Sequence, residues 1–365
     1  MQGGDFRENS PLDTSNPCQS YPAGVRGAGH WTKLLVPFEA WLQALDRRVL
    51  EEISAFDPAL APQLGDTLSS HGKRLRPVVA LLSAEATGGI RPAHLDLALI
   101  VEMIHLATLV HDDIVDGAVT RRGAPTAFLR WGADVSVLLG DCLFSHALKI
   151  CADLPREVFR SVAASVCVVC TGEILQLQRR FDLRLGEGEY LRIAQMKTGE
   201  LFAMPCQLAA SLNSSPSGIQ EALGEYGRLV GTAFQIYDDC LDLLGSEEET
   251  GKTLGTDLGQ GRLTLPLLYL LDSPNGGAKE CVLSVLGNGS PEKRSELLEF
   301  LFSHGALERA GATVQRLLEQ SRNTLRCLPE KEAGDRLCHL TYLLEEEFQT
   351  LVHRPVRHSF FPRNS

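Results

Sequence analysis

Apolar residues recur at three- and four-residue spacing from about residue 37 almost to the end of the chain. That is the period of a helix with one buried face. FEAWLQALDRRVLEEISAF opens the series, and the same spacing predicts helices at about 77–87, 93–116, 133–152, 156–180, 187–211, 216–244, 264–272, 292–303, 306–327 and 332–352. LDLALIVEMIHLATLV is apolar nearly all round, as befits a helix in the middle of a bundle. Breakers fall between these segments: Thr87-Gly88-Gly89, Ser214-Ser215-Pro216 and Ser273-Pro274-Asn275-Gly276-Gly277. No series of alternating segments joined by hairpin turns appears. The expectation is an all-α chain with a flexible Gly/Pro/Ser/Asn-rich arm at 1–35, one helical domain at 36–355 and a tail at 356–365.

Composition narrows the functional classes. Of 365 residues 44% are hydrophobic, which is enough for a sizeable core, and the net charge of −11 argues against general nucleic-acid binding. It does not exclude small anionic substrates, because local basic clusters and metal ions can seat phosphates in an acidic protein. The ten cysteines are scattered through apolar segments and read as buried free thiols; the C-x-x-C at Cys167–Cys170 lies in a helical pattern and reads as core, not zinc. No stretch reads as long and apolar enough to span a membrane, and no secretory start or transit peptide is visible, so a cytoplasmic location is expected.

The chemistry concentrates in two short motifs, DDIVD at Asp112–Asp116 and DDCLD at Asp238–Asp242, 126 residues apart. At 100° per residue, His105, Thr108, Asp112 and Asp116 form a polar stripe on an otherwise apolar helix. Buried carboxylates need partners, and metal ions suit two carboxylates one turn apart. In the second segment Gln235, Asp238, Asp239 and Asp242 are expected to share a side, with Arg228 two turns earlier. Oxygen ligands that leave room for water and phosphate point to Mg²⁺, and neither motif has the loop spacing of a calcium site. A single copy of such a motif is most simply a solvated acidic face; two copies on apolar helices are not.

Basic segments surround these motifs. HGKRLRP places Lys73, Arg74 and Arg76 just ahead of a helix, a reasonable diphosphate seat. TRRGAPT carries Arg121 and Arg122 directly after the first motif, MKTGELF puts Lys197 and Thr198 in an apolar helix, and GKTLGTDLGQGRLTLP supplies Lys252, Asp257 and Arg262 in a Gly-rich loop.

The order GKRLRP, HLATLVHDDIVD, RRGAPT, MKTGELF, GTAFQIYDDCLD and GKTLGTDLGQGRLTLP closely resembles the trans-isoprenyl diphosphate synthase (polyprenyl synthetase) family over roughly residues 40–350. The resemblance implies a single large helical bundle around a deep central cavity, a homodimer, about three Mg²⁺ ions per site, and peripheral membrane contact on product release. It implies Asp112, Asp113 and Asp116 with Asp238, Asp239 and Asp242 as the metal side, and Lys73, Arg76, His105 and Arg122 as the isopentenyl diphosphate site. It also implies Arg121, Lys197 and Lys252 at the allylic diphosphate, and Thr198 and Gln235 beside a developing allylic cation. Asp112, Asp116, Lys197, Thr198, Gln235 and Asp238 then carry catalysis. Arg262 stands where the family usually has Lys. Small Ala107 and Thr108 before the first motif resemble long-chain synthases of the quinone-tail type, with products of C25 or longer. The alternatives are a short-chain farnesyl or geranylgeranyl diphosphate synthase, a class I terpene cyclase, a non-catalytic partner subunit, or a helical scaffold with solvated acidic patches.

Overall fold

A computed structural model of the chain describes residues 31, 34–69, 74–121, 123–245, 254–274, 277–287, 290–328 and 331–353. Helices dominate it. They are α1 (Glu39–Ile53), α2 (Ala61–Ser69), α3 (Leu75–Glu85), α4 (Pro92–Asp116), α5 (Ala127–Cys151), α6 (Arg156–Gln178), α7 (Glu187–Ala194), α8 (Glu200–Leu212) and α9 (Ser217–Leu244). After these come α10 (Thr256–Gly259), α11 (Leu265–Leu271), α12 (Ala278–Val285), α13 (Pro291–Ser303), α14 (Ala306–Thr324) and α15 (Lys331–Val352). The expected segments match these elements closely. The segments missed are α2, α10 and α12, which have nine, four and eight residues and are too short for periodicity to stand out.

One predicted helix, 187–211, has an internal break that periodicity does not show. Between α7 and α8 the residues Gln195–Gly199 form a π turn. Such a bulge adds one residue to a turn and is found mostly at functional sites. A small antiparallel hairpin, β1 (Thr120–Arg121) with β2 (Ala124–Pro125), is the one sheet among the described residues.

Two apolar clusters make the core. One gathers α3, α8, α9, α11, α14 and α15; the other gathers α4, α5 and α6 with the opposite face of α8. The all-apolar α4 is central, as its pattern predicts: Leu97–Val101 are fully enclosed. Helix α8 packs on both motif-bearing helices, α4 and α9. Its contact with α9 is very close, since a Cβ on Gly227 would lie 2.3 Å from the Phe202 carbonyl oxygen. Trp31 and Leu34 join the core, and the Trp31 indole donates to Glu347 at 2.6 Å.

Two sequence expectations need correction. Helices α4 and α6 are both long and apolar enough to cross a membrane by length and composition. The first is mostly enclosed by its neighbours, whereas most of α6 is open. Cys167 and Cys170, read as core, are exposed on α6, and Cys327 is exposed too; Cys151, Cys206, Cys240 and Cys281 are buried as expected. Helical phase explains the difference, because α6 buries only a narrow stripe that includes Val158, Val162, Ser165, Val169 and Gly172.

Candidate active site

The first aspartate motif ends α4, and the local sequence turns the chain back on it. Gly117 adopts a left-handed conformation (φ 61°) and the Ala118 amide bonds the Asp113 carbonyl at 2.9 Å, a glycine-based helix stop. The hairpin that follows returns Arg121 to the helix, where its Nε and Nη2 meet Asp113 Oδ1 at 2.8 and 2.7 Å. Asp113 is 4% exposed and points inward, while Asp112 and Asp116, about 100° and about 60° away around the helix, are half-buried. Burial raises the Asp113 carboxyl above its ordinary range, against the pull of Arg121. His105 and Thr108 are also half-buried, so the predicted stripe is real.

The second motif divides in the same way. Asp238 is half-buried, whereas Asp239 and Asp242 are 6% and 3% exposed. The three therefore do not share one open side. Asp239 accepts the Tyr190 hydroxyl at 2.5 Å and the Gln235 amide at 2.7 Å. Burial, with Asp257 nearby, raises its carboxyl to about 8. Asp242 anchors the Gly-rich loop, accepting the Thr256 hydroxyl at 3.2 Å and the Asp257 amide at 3.1 Å.

That loop reaches the first motif. Arg262 binds both oxygens of Asp116 and, at 3.2 Å, Asp257. The Gln260 amide donates to the Asp116 carbonyl at 2.9 Å, and Arg180 donates to Gln260 at 2.8 Å. The Phe181 amide donates to the Gly261 carbonyl at 2.7 Å.

The π turn supplies the next groups. Lys197 Nζ lies 2.8 Å from Glu173 and donates to Gln176 at 3.0 Å. Burial works against its charge, but Asp112 and Glu173 outweigh it and hold the ammonium above its ordinary value. Burial and Asp112 push Glu173 upward. Asp112, Glu173, Lys197 and Arg262 thus belong to one electrostatic cluster. Beside Lys197, the buried Thr198 hydroxyl donates to the Gln235 side-chain carbonyl. Arg76 sits 3.1 Å from His105 Nε2 with its guanidinium 4.8 Å over the Phe202 ring. Arg74 turns inward to Glu102 at 2.6 Å and Asp46 at 2.9 Å. Arg228, expected beside the second motif, pairs with Glu200 at 2.6 Å.

The structure therefore brings Asp112, Asp116, Lys197 and Arg262 together and joins Thr198 to Gln235. It commits Asp113 and Arg121 to each other and Asp239 to the buried Tyr190. Lys73, Arg122 and Lys252 lie outside the described residues. Sequence reasoning missed Glu173, Gln176, Arg180, Tyr190 and Gln260. A Glu and a Gln three apart in the apolar GEILQL of α6 were a readable signal; the other three were not.

The donor set suits Mg²⁺ only in part of each motif. Asp112, Asp116 and Asp238 are half-buried and offer hard oxygens, although Asp116 would have to share its oxygens with Arg262, while Asp113 and Asp239 are buried and held by Arg121 and Tyr190. Among the described residues no three His, Cys, Asp or Glu side chains enclose an ion by themselves. That fits Mg²⁺, which keeps water and substrate phosphate oxygens and takes only one or two carboxylates.

Comparison with known proteins identifies the family. The polyprenyl synthetase family model matches residues 58–301. A short chain isoprenyl diphosphate synthase of Methanothermobacter thermautotrophicus is 33% identical over 309 residues, 83% of this chain and 95% of that protein. An octaprenyl diphosphate synthase of Haemophilus influenzae is 34% identical over 307 residues, 83% and 92% of the two chains. The crystal structure of a polyprenyl synthase from Caulobacter crescentus CB15, complexed with calcium and isoprenyl diphosphate, superposes with a TM-score of 0.82 at 32% identity and covers 88% of this chain and 99% of that one. The all-α fold, the paired aspartate helices and this coverage agree, and the chain belongs to the polyprenyl synthetase family of prenyltransferases.

Proposed function

We propose that this prenyltransferase condenses isopentenyl diphosphate with an allylic diphosphate, with Mg²⁺, to give an all-trans polyprenyl diphosphate of C25 or longer. The observation that carries the reading is the cluster of Asp112, Asp116, Glu173, Lys197 and Arg262, with carboxylates and cations interleaved at one place. Mg²⁺ held by Asp112, Asp116 and Asp238 would neutralise the departing diphosphate. The half-buried Lys197 ammonium, kept charged by its neighbours, adds a fixed positive charge where the allylic C–O bond breaks. Thr198 and Gln235 present oxygen dipoles to the developing cation. Arg76 with His105 orients isopentenyl diphosphate so that its double bond meets the cationic carbon. Loss of a proton to the released diphosphate completes the step.

Product length is read from the stripe above Asp112. Thr108 is half-buried and shares that face, with its hydroxyl turned to the His105 carbonyl at 2.7 Å. Ala107 is 3% exposed and lies in the apolar core, so Thr108 is the better candidate for a length gate. Its small side chain supports the long-chain reading over a farnesyl- or geranylgeranyl-length product.

The reading includes a homodimer. Helix α6 is strongly apolar yet mostly open, and it exposes Phe159, Ile174 and Leu177; Val135, Val137 and Leu138 are exposed on α5, next in the chain. A second copy of the chain would cover such a surface with its own equivalent helices.

The test is incubation with Mg²⁺, labelled isopentenyl diphosphate and C10, C15 or C20 allylic primers, followed by sizing of the products. Label in products beyond C20 is expected. No incorporation with any primer would refute the reaction, whereas products stopping at C15 or C20 would refute only the length.

A further inference from the structure

One chain of hydrogen bonds ties Thr198 and Gln235 to two residues beneath the site, Tyr190 and Asp239, that have no part in the proposed steps. Tyr190, on α7, is buried, and its hydroxyl donates to Asp239 Oδ2 at 2.5 Å. Asp239 Oδ1 accepts the Gln235 Nε2 amide at 2.7 Å. The carbonyl end of the same Gln235 side chain accepts the hydroxyl of Thr198 in the π turn. Three elements, α7, the π turn and α9, are thereby tied through four side chains.

The direction of these bonds has a chemical consequence. A glutamine amide has a donor end and an acceptor end and can turn either way unless its partners choose. Tyr190 occupies Asp239 Oδ2 and Gln235 Nε2 meets Oδ1, so the donor end of the amide is turned to the carboxyl. Its oxygen is then left for Thr198. The geometry also accounts for Asp239 facing inward while its neighbour Asp238 is half open.

We propose that Tyr190 and Asp239 are positioning residues, which fix the orientation of the Gln235 amide and hence the Thr198 hydroxyl, and that Asp239 is not a metal ligand. This rests on the reading that Thr198 and Gln235 border the reacting allylic carbon. The role contrasts with the motif, in which all three aspartates of DDCLD stand on the metal side.

The full-length protein and its Tyr190→Phe, Asp239→Asn and Asp239→Ala variants are compared by steady-state kinetics with both diphosphates and by Mn²⁺ binding, read by electron paramagnetic resonance. Tyr190→Phe keeps the ring and removes one bond to a carboxylate, so kcat falls about tenfold while both KM values stay within about threefold. Asp239→Ala loses more. Asp239→Asn keeps an acceptor for Gln235 and recovers most of the turnover. Mn²⁺ affinity of all three stays within about twofold of the parent, a magnitude a lost ligand would exceed. Should Asp239→Ala fail to fold, the isosteric Tyr190→Phe and Asp239→Asn carry the comparison. Undiminished kcat in Tyr190→Phe overturns the inference. So does Asp239→Asn matching Asp239→Ala in lost turnover, or weakening Mn²⁺ binding about tenfold or more. A parent protein that transfers no prenyl unit overturns the reaction reading and this inference together.

Discussion

Arg262 and Asp116 are 146 residues apart and bind each other with a two-armed contact, Nη2 at 2.5 Å from Oδ1 and Nη1 at 3.3 Å from Oδ2. The contact carries the Gly-rich loop that follows the second motif onto the last turn of the first. A planar guanidinium can hold both carboxylate oxygens and still reach Asp257; an ammonium is a point charge and cannot match that fork. Arginine at this position therefore makes a firmer strap than lysine would. Arg262→Lys should keep the charge but loosen the loop, seen as faster proteolytic cutting within 254–263 and a rise of a few-fold in KM for the allylic diphosphate. Arg262→Ala should lower kcat/KM by about tenfold or more.

Asp112 separates a working synthase from a helical scaffold. It is half-buried and its charge acts on Lys197 and Glu173. Asp112→Ala should leave the circular dichroism spectrum and any protein-binding property intact and reduce turnover on the order of a thousandfold. Turnover within about tenfold of the parent would mean that the first motif is not the ionising site.

The placement of Lys197 depends on a close backbone approach. A Cβ on Gly172 would lie 2.7 Å from the Lys197 amide nitrogen and 2.9 Å from Met196 Cβ, so the π turn could not stay where it is. Gly172→Ala should cost about 1–3 kcal/mol in a urea melt and lower kcat together. Gly188→Ala on α7 has open space around its new methyl. It should be neutral or stabilising by up to about 1 kcal/mol, with kcat unchanged.

The proposed long-chain product makes Thr108 a position to test. Thr108→Phe places an aromatic ring on the Asp112 face of α4 and should shift products from beyond C20 to C15 or C20 with condensation retained. Ala107→Phe should instead destabilise the protein by about 1–3 kcal/mol, because Ala107 is packed in the core. Product sizing and a thermal melt of both variants distinguish the two positions.

Acid sensitivity should have a contribution far from the site. Glu52 accepts from His146 at 2.7 Å, tying α1 to α5. Burial raises its carboxyl, but the His146 bond and the charges of His146 and Arg48 outweigh burial and hold it below its ordinary 4.5. A lowered folded-state value stabilises above the unfolded one, and that stabilisation is lost as pH falls through the folded value. Urea midpoints between pH 7 and 3 should drop on the acid side, and Glu52→Gln should flatten that limb.

Much of this protein could be read from local pattern. A helix needs only its own neighbours in sequence, so the 3.6-residue period marked nearly every long helix and the Asp112–Asp116 stripe. Phase would also have turned Asp113 and Asp239 inward, since each lies about 100° from its neighbour; the two adjacent aspartates of each motif invite a single reading and have opposite surroundings. Order of motifs sufficed for the family, because each short segment keeps its chemistry wherever the chain carries it.

Pairings were another matter. Nothing local to Lys197 names Glu173, nothing near Asp116 names Arg262, and Tyr190 has no motif at all. The π turn escaped because one extra residue in a turn leaves composition unchanged while resetting every later side chain. The sequence by itself determined the helices, the kinds of charged group and the family; tertiary packing decided which charges meet. Helix phase is set by neighbours within a few residues, whereas an ion pair spanning 146 positions exists only once the bundle has closed around it.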